Sequence, residues 1–265
     1  MTAARAARGM AACVLFFAGI AAADVVKTAP AIAAVRLVML GERFAKLHAQ
    51  LGQGVLAQRS RRDLAQAGRD FDAALHLVAS QAAAPEFRDN TLLLAALWRE
   101  HREWLARPPS RETARQMRSR TEEIVWIAQK CARMLQGDSR ASVNAGAFRA
   151  AQAEVLSQRL AKAYLWRRWG MLDEKLQKEA RESDENLERL LAALHEARGN
   201  SPEVEGELQA ADTQLKFLRE NARELDAGRP GQSAIEFVAK AADHIREAME
   251  RVEQLYDAAP PNGGS

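Results

Sequence analysis

The sequence predicts an all-α protein: two tandem antiparallel four-helix bundles, eight helices in all, after a signal peptide. Three observations predict it. Ala, Leu, Arg, Glu and Gln dominate, while the 265 residues hold only 15 Gly and 8 Pro, a composition that favours helix. Apolar residues recur three and four apart in eight successive segments, which turns one face of each segment inward. The pattern of the first half returns in the second at an offset of 116 residues, the mark of a duplicated structural module. Aromatic residues make up 6 % and charged residues 28 %, which suits long amphipathic helices better than a compact α/β enzyme.

Residues 1–23 read as a signal peptide. Arg5 and Arg8 give a positive start, Met10 to Ala22 is apolar, and Ala21, Ala22 and Ala23 supply the small residues of a cleavage site. The apolar stretch is shorter than the roughly 20 residues a membrane-spanning helix needs. Cleavage removes two Arg and no acid, so the net charge falls from +3 to +1; that balance gives no basis for a nucleic-acid partner. Cleavage also removes Cys13 and leaves Cys131 alone, so no internal disulfide is expected. The expected location is the periplasm.

The helices follow in order. The first carries Leu37, Leu40, Phe44, Leu47 and Leu51, and the second Leu64, Ala67, Phe71, Ala74 and Val78. The third carries Phe87, Thr91, Leu94, Trp98, His101 and Leu105; the fourth carries Met117, Thr121, Ile124, Ala128, Cys131 and Leu135. In the second set, the fifth helix carries Leu156, Leu160 and Ala163, and the sixth Leu172, Leu176, Ala180, Ser183, Leu187, Leu190 and Leu194. The seventh carries Val204, Leu208, Ala211, Leu215 and Leu218; the eighth carries Ile235, Val238, Ala242, Ile245, Met249 and Val252. Such spacing suits helices crossing near 20° in a bundle.

Breaks fall between these segments. Pro85 and Pro202 each open a helix and are followed by an acid. Pro108, Pro109 and Ser110 end the third helix and cap the fourth. Gly170 ends the fifth helix, and Gly199 with Asn200 ends the sixth. The expected domains are residues 24–137 and 142–257, separated at Gly137, Asp138 and Ser139, with residues 258–265 as a disordered tail.

The repeat is visible residue by residue. Leu40-Gly41-Glu42-Arg43-Phe44-Ala45-Lys46 aligns with Leu156-Ser157-Gln158-Arg159-Leu160-Ala161-Lys162, and Phe71 with Leu187. Pro85 matches Pro202 after one insertion, and Ile124 aligns with Ile245 near the end.

The stretch Val155-Leu156-Ser157-Gln158-Arg159-Leu160-Ala161-Lys162-Ala163-Tyr164 resembles the first helix of the PilJ-like domain. That is the N-terminal sensory domain of type IV pili methyl-accepting chemotaxis transducers, and it also occurs in nitrate/nitrite sensor kinases. Phe237 to Ile245, with Met249, Arg251 and Tyr256, is similar to the family's last helix. The resemblance implies a sensory module outside the cytoplasmic membrane, present here in two copies. In the nitrate sensors an Arg of the first helix clasps the anion; the aligned positions here are Val38 and Glu154, neither of which donates to an anion.

The pairs Arg43/Lys46 and Arg159/Lys162 recur three residues apart on the first helix of each repeat. With Gln158 they are candidate ligands for a carboxylate or oxyanion, against the alternative that they cover apolar surface and pair with neighbouring acids. Trp166 and Trp169, with two Arg between them, are a candidate partner surface or a bundle-end cap. The five His lack metal-site spacing, and no cofactor is expected. His101 reads as a hydrogen-bonded interior residue and Cys131 as a buried, inert thiol.

The expectation is a non-catalytic periplasmic protein that senses or binds a small anion or metabolite at a first-helix interface. The rival is an adaptor that binds a membrane sensor, pilus or envelope protein and holds no small ligand. A homodimer or an intrachain pseudo-dimer is compatible with either. The link between the halves leaves two arrangements open: side by side, with both Arg/Lys pairs at one interface, or end to end, with the pairs apart.

Overall fold

The computed structural model describes residues 29–81, 83–137, 143–226 and 231–258, excepting the side chains of 224–226 and 232. The proposed signal peptide, the Asp138–Ser142 link and the tail beyond Ala258 lie outside the described residues. Those described form eight α-helices and no strand: α1 (Pro30–Gly52), α2 (Ala57–Ala79), α3 (Pro85–Leu105), α4 (Arg111–Gln136), α5 (Ala145–Arg168), α6 (Glu174–His195), α7 (Pro202–Asp226) and α8 (Gln232–Ala258). No helix among them is long and apolar enough to cross a membrane.

Local chemistry sets the ends. Pro30 and Pro85 sit in the first turns of α1 and α3, where the missing N–H has no intrahelical partner to lose. Ser110 caps α4 reciprocally with Thr113, and Asn144 caps α5 by accepting from the N–H groups of Gly146 and Ala147. Gly170 and Gly199 follow α5 and α6 at φ of 78° and 83°, the left-handed conformation that glycine adopts without a Cβ clash. Leu172 departs from the expected seam of α6: Asp173 caps that helix by accepting from the Leu176 N–H at 2.7 Å, so Leu172 falls in the preceding turn and is exposed.

Within the first half α1 packs on α2 and α4, and α3 on α4; within the second, α5 packs on α6 and α8, and α7 on α8. The halves lie side by side, because α1 also packs along α5. The two run parallel: Glu42 meets Arg159 and Lys162, Ala45 meets Trp166, and Gln53 meets Leu165 and Arg168. This central position separates α1 from its neighbours. Eighteen of its 23 residues are buried, against five of 23 in α2. In α5, 16 of 24 are buried. The seam expected for α5 therefore understates it; small residues such as Ala147, Ala150, Ala153 and Ala161 let neighbours approach on every side.

The two cores occupy equivalent places with different chemistry. In the first half Phe44 stacks on Trp98 at 4.8 Å, and Phe71 lies 4.3 Å from the same indole. Trp98 keeps its N–H satisfied by donating to Asp72 at 2.7 Å. The aligned residues of the second half are aliphatic: Leu160, Leu187 and Leu215, all in one buried cluster.

Close approach at the α1–α5 contact gives a test. A Cβ added to Gly52 would overlap the Trp169 ring, whereas one added to Gly206, on an exposed face of α7, would meet nothing. Thermal denaturation should show G52A destabilised by about 1–3 kcal/mol through overpacking, and G206A stabilised by about 0.5–1 kcal/mol through helix propensity.

Candidate functional site

Burying α1 and α5 also buries the charges that the sequence places on them. Lys46, Lys162, Gln158 and Glu42 are each at most 6 % exposed, and an ion taken out of water requires a partner. Lys46 Nζ donates to Gln158 Oε1 at 2.9 Å and to Asp243 Oδ1 of α8 at 2.5 Å. Lys162 Nζ donates to Glu42 Oε2 and to Glu179 Oε1 of α6, each at 2.7 Å. The arrangement is reciprocal. Gln158 is the repeat equivalent of Glu42, and Lys162 of Lys46, so each lysine crosses to the same position on the opposite helix. Gln158 spends its amide nitrogen on the Ala242 carbonyl at 3.0 Å.

Burial raises the Glu42 carboxyl, but Lys162 and Arg159 together bring it down to about 2. Burial brings the Lys46 ammonium down to about 8, with Asp243 acting against that shift, so the lysine is charged at neutral pH. Nearby, burial pushes Glu154 well above the carboxylate range and Glu253 pushes it further. Its Oε1 has no hydrogen-bond partner. Glu253 itself rises to about 7, chiefly through burial, against the pull of Arg36 at 2.9 Å.

The structure brings Lys46, Gln158, Arg159 and Lys162 to the α1–α5 interface and turns Arg43 toward α2. Lys46, Lys162 and Gln158 face one another and neighbouring helices rather than solvent. Arg159 donates from Nε to Glu42 at 2.7 Å, and Arg43 lies 3.5 Å from Asp63 of α2. Both arginines keep part of their surface and line grooves. Trp166 and Trp169 are 3 % and 7 % exposed. The Trp166 indole donates to the Ala45 carbonyl at 3.2 Å, and Trp169 lies 5.9 Å from His48. The surface they cover is therefore the other half of this chain. His101 corrects an expectation: it is interior, but neither ring nitrogen has a hydrogen-bond partner. It packs against Phe44 and Trp98, and burial holds it neutral by lowering its pKa to about 4. Cys131 is buried, which pushes its thiol up to about 11.

Of the grooves that border the interface, two are related by the repeat. The larger, of about 530 Å³, opens between α4 and α6 over a floor of α1 and α5. Its apolar part includes Val35, Val38, Phe148, Val155 and Leu190; its polar part includes Gln129, Asn186, Arg133, Arg159 and Arg189. The smaller, of about 280 Å³, lies between α2 and α8 over α1 and holds Arg36, Arg43, Arg246, Asp70 and Glu250. The grooves are repeat equivalents: Met39, Leu40, Arg43 and Asp70 in the smaller align with Val155, Leu156, Arg159 and Asn186 in the larger. Sequence reasoning found Arg159 and Arg43 but missed Arg133, Arg189 and Gln129. They lie on α4 and α6, outside the motif; Arg189 reaches the groove through the α5–α6 contact, and only the packing of the halves brings Gln129 and Arg133 there. Among the described residues no group of His, Cys, Asp and Glu is arranged to hold a metal. The chain matches no family model, no curated protein and no solved structure.

The buried charges give two pH tests. An unfolded Glu takes up its proton near 4.5 and folded Glu42 only near 2, so the unfolded chain binds more protons across that interval and stability falls as pH falls through it. Denaturant titrations should show E42Q destabilised at pH 7 by about 3 kcal/mol, since it leaves buried cations short of a carboxylate, with a shallower loss between pH 4.5 and 2. Glu154 has the opposite sign. The fold keeps its proton above the pH at which the unfolded chain releases it, so that stabilisation is full below about 4.5 and is lost as pH rises. E154Q should raise Tm at pH 8 and leave it unchanged at pH 4.

Proposed function

We propose that this chain is a non-catalytic periplasmic binding or sensory protein built from two PilJ-like four-helix bundles paired as an intrachain pseudo-dimer. In this reading the α4–α6 groove holds a small ligand beside the joined first helices, and its occupancy biases their packing. The observation that carries the reading is the groove itself. It is concave, it lies within the size range of small-molecule sites, and it meets both first helices of the repeat. The lining supports binding rather than chemistry: guanidiniums, side-chain amides and aliphatic groups orient a ligand but supply no activated nucleophile or neutral-pH base. The family likeness of the Leu156 to Lys162 motif supports a sensory role for such an interface.

A ligand selective for the folded state raises its stability. A thermal-shift screen of nitrate, nitrite, carboxylates and amino acids should therefore give at least one compound that raises Tm by about 5 °C or more at a hundredfold excess over Kd. Arg159→Ala should reduce that shift. No stabilisation by any compound, together with co-purification of an envelope protein, would establish the adaptor reading in its place.

A further inference from the structure

The two grooves occupy aligned positions of the sequence repeat and differ in charge. In the α2–α8 groove every lining guanidinium has a carboxylate: Arg246 donates to Glu250 at 2.8 Å, Arg36 to Glu253 at 2.9 Å, and Arg43 lies 3.5 Å from Asp63. The α4–α6 groove keeps one of these arginines, with Arg159 at the position of Arg43, and loses the acids. Asp70 is replaced by Asn186, and Glu250 by Gln129. Each replacement is the amide of the acid it replaces, nearly unchanged in shape and without charge. On the same face of the last helix, Glu253 and Asp257 correspond to Ala132 and Gln136. The other two guanidiniums are moved: Gln152 and Val125 stand where the smaller groove has Arg36 and Arg246, while Arg189 stands where it has Ala73 and Arg133 where the last helix has Gln254.

The moved guanidiniums have no carboxylate of their own among the described residues. Arg189 donates to the Asn186 side-chain oxygen at 2.6 Å and to the Glu185 carbonyl at 3.4 Å. Arg133 makes no ion pair with any described residue. Among the described residues no Asp or Glu lines the cavity, and apart from Gln152 and Arg159 its floor is aliphatic and aromatic. Guanidinium donors on the two walls of a trough with a largely apolar floor are the recognition chemistry of a carboxylate carrying a hydrocarbon body.

We infer that the α4–α6 groove binds a monocarboxylate with an apolar tail, the carboxylate lying against Arg133 and Arg189 and the tail over Val35, Val155 and Leu190. This rests on the ligand-binding reading above and narrows it to one chemical class. The ligand's charge replaces the acids that the equivalent groove supplies from within. The amides of Gln129 and Asn186 leave room for it without repelling it.

The test uses the full chain, with calorimetric titration and thermal shift as readouts. The probes are butanoate, hexanoate and octanoate, together with hexanamide, hexylammonium, leucine and 4-methylpentanoate. Affinity should rise roughly two- to fourfold per added methylene as the tail enters the trough. Hexanamide and hexylammonium should not bind, and 4-methylpentanoate should bind better than leucine, which adds an ammonium beside the arginines. R133Q/R189Q should raise the Kd for hexanoate by roughly tenfold. Q129E/N186D, which restores the acids of the equivalent groove, should abolish binding while the unliganded Tm stays near wild type. Hexanoate binding equally well to the wild type and both double variants, or hexanamide matching hexanoate, would overturn the assignment. Stabilisation by another class of small molecule, with none by the carboxylates, would overturn it and leave the sensory reading standing. Stabilisation by no small molecule would remove both.

Discussion

The rest of the architecture depends on pairing two buried lysines across the α1–α5 contact. Lys46 and Lys162 are almost wholly withdrawn from water, on helices covered on most sides. An unpaired ammonium there would cost several kcal/mol, so each lysine needs oxygen from the facing helix and from a third helix. Those requirements fix register. Sliding α1 along α5 by one helical turn, about 5.4 Å, would separate Lys46 from Gln158 and Lys162 from Glu42 together. Hydrophobic burial alone tolerates such slippage more readily, because apolar contact is non-directional. The charges choose among the packings that the apolar surfaces allow, and Asp243 and Glu179 tie α8 and α6 to the same choice.

Much of this was legible in the sequence, and the reasons differ between elements. The outer helices α2, α4 and α6 each bury one stripe, so a three-four spacing identifies both the helix and its inner face. Ser110 and the glycines after α5 and α6 act through local backbone chemistry, which needs no knowledge of the partner. The central helices behave otherwise. When most of a helix is buried there is no single stripe to find, and the useful signal in α1 and α5 is the run of Ala and Gly that permits close neighbours. The duplication announced that Arg43 and Arg159 occupy equivalent places. It did not say that the halves lie side by side, because the linking residues permit either arrangement. Arg133 could be joined to Arg159 only after that choice was known.

The interface also sorts the functional candidates by accessibility. Gln158, Lys46 and Lys162 are committed to internal partners, so their contribution is to position helices. Arg159 performs both tasks, giving Nε to Glu42 while its side chain borders the larger groove. The indoles of Trp166 and Trp169 look like a docking surface in the linear sequence and serve as one, toward α1. Close by, Glu154 and Glu253 sit in a region where burial favours the protonated acid, so the carboxyls of this interface are displaced from their ordinary range in opposite directions.

Having both halves on one polypeptide has a consequence for the grooves. In an assembly of two identical chains, any residue introduced on one side of the axis appears on the other as well. Asparagine could not then replace aspartate in one groove alone. A single gene encoding both sides removes that constraint. One side can keep its internal neutrality and act as a rigid brace, while its counterpart specialises, and the association of the two never depends on concentration.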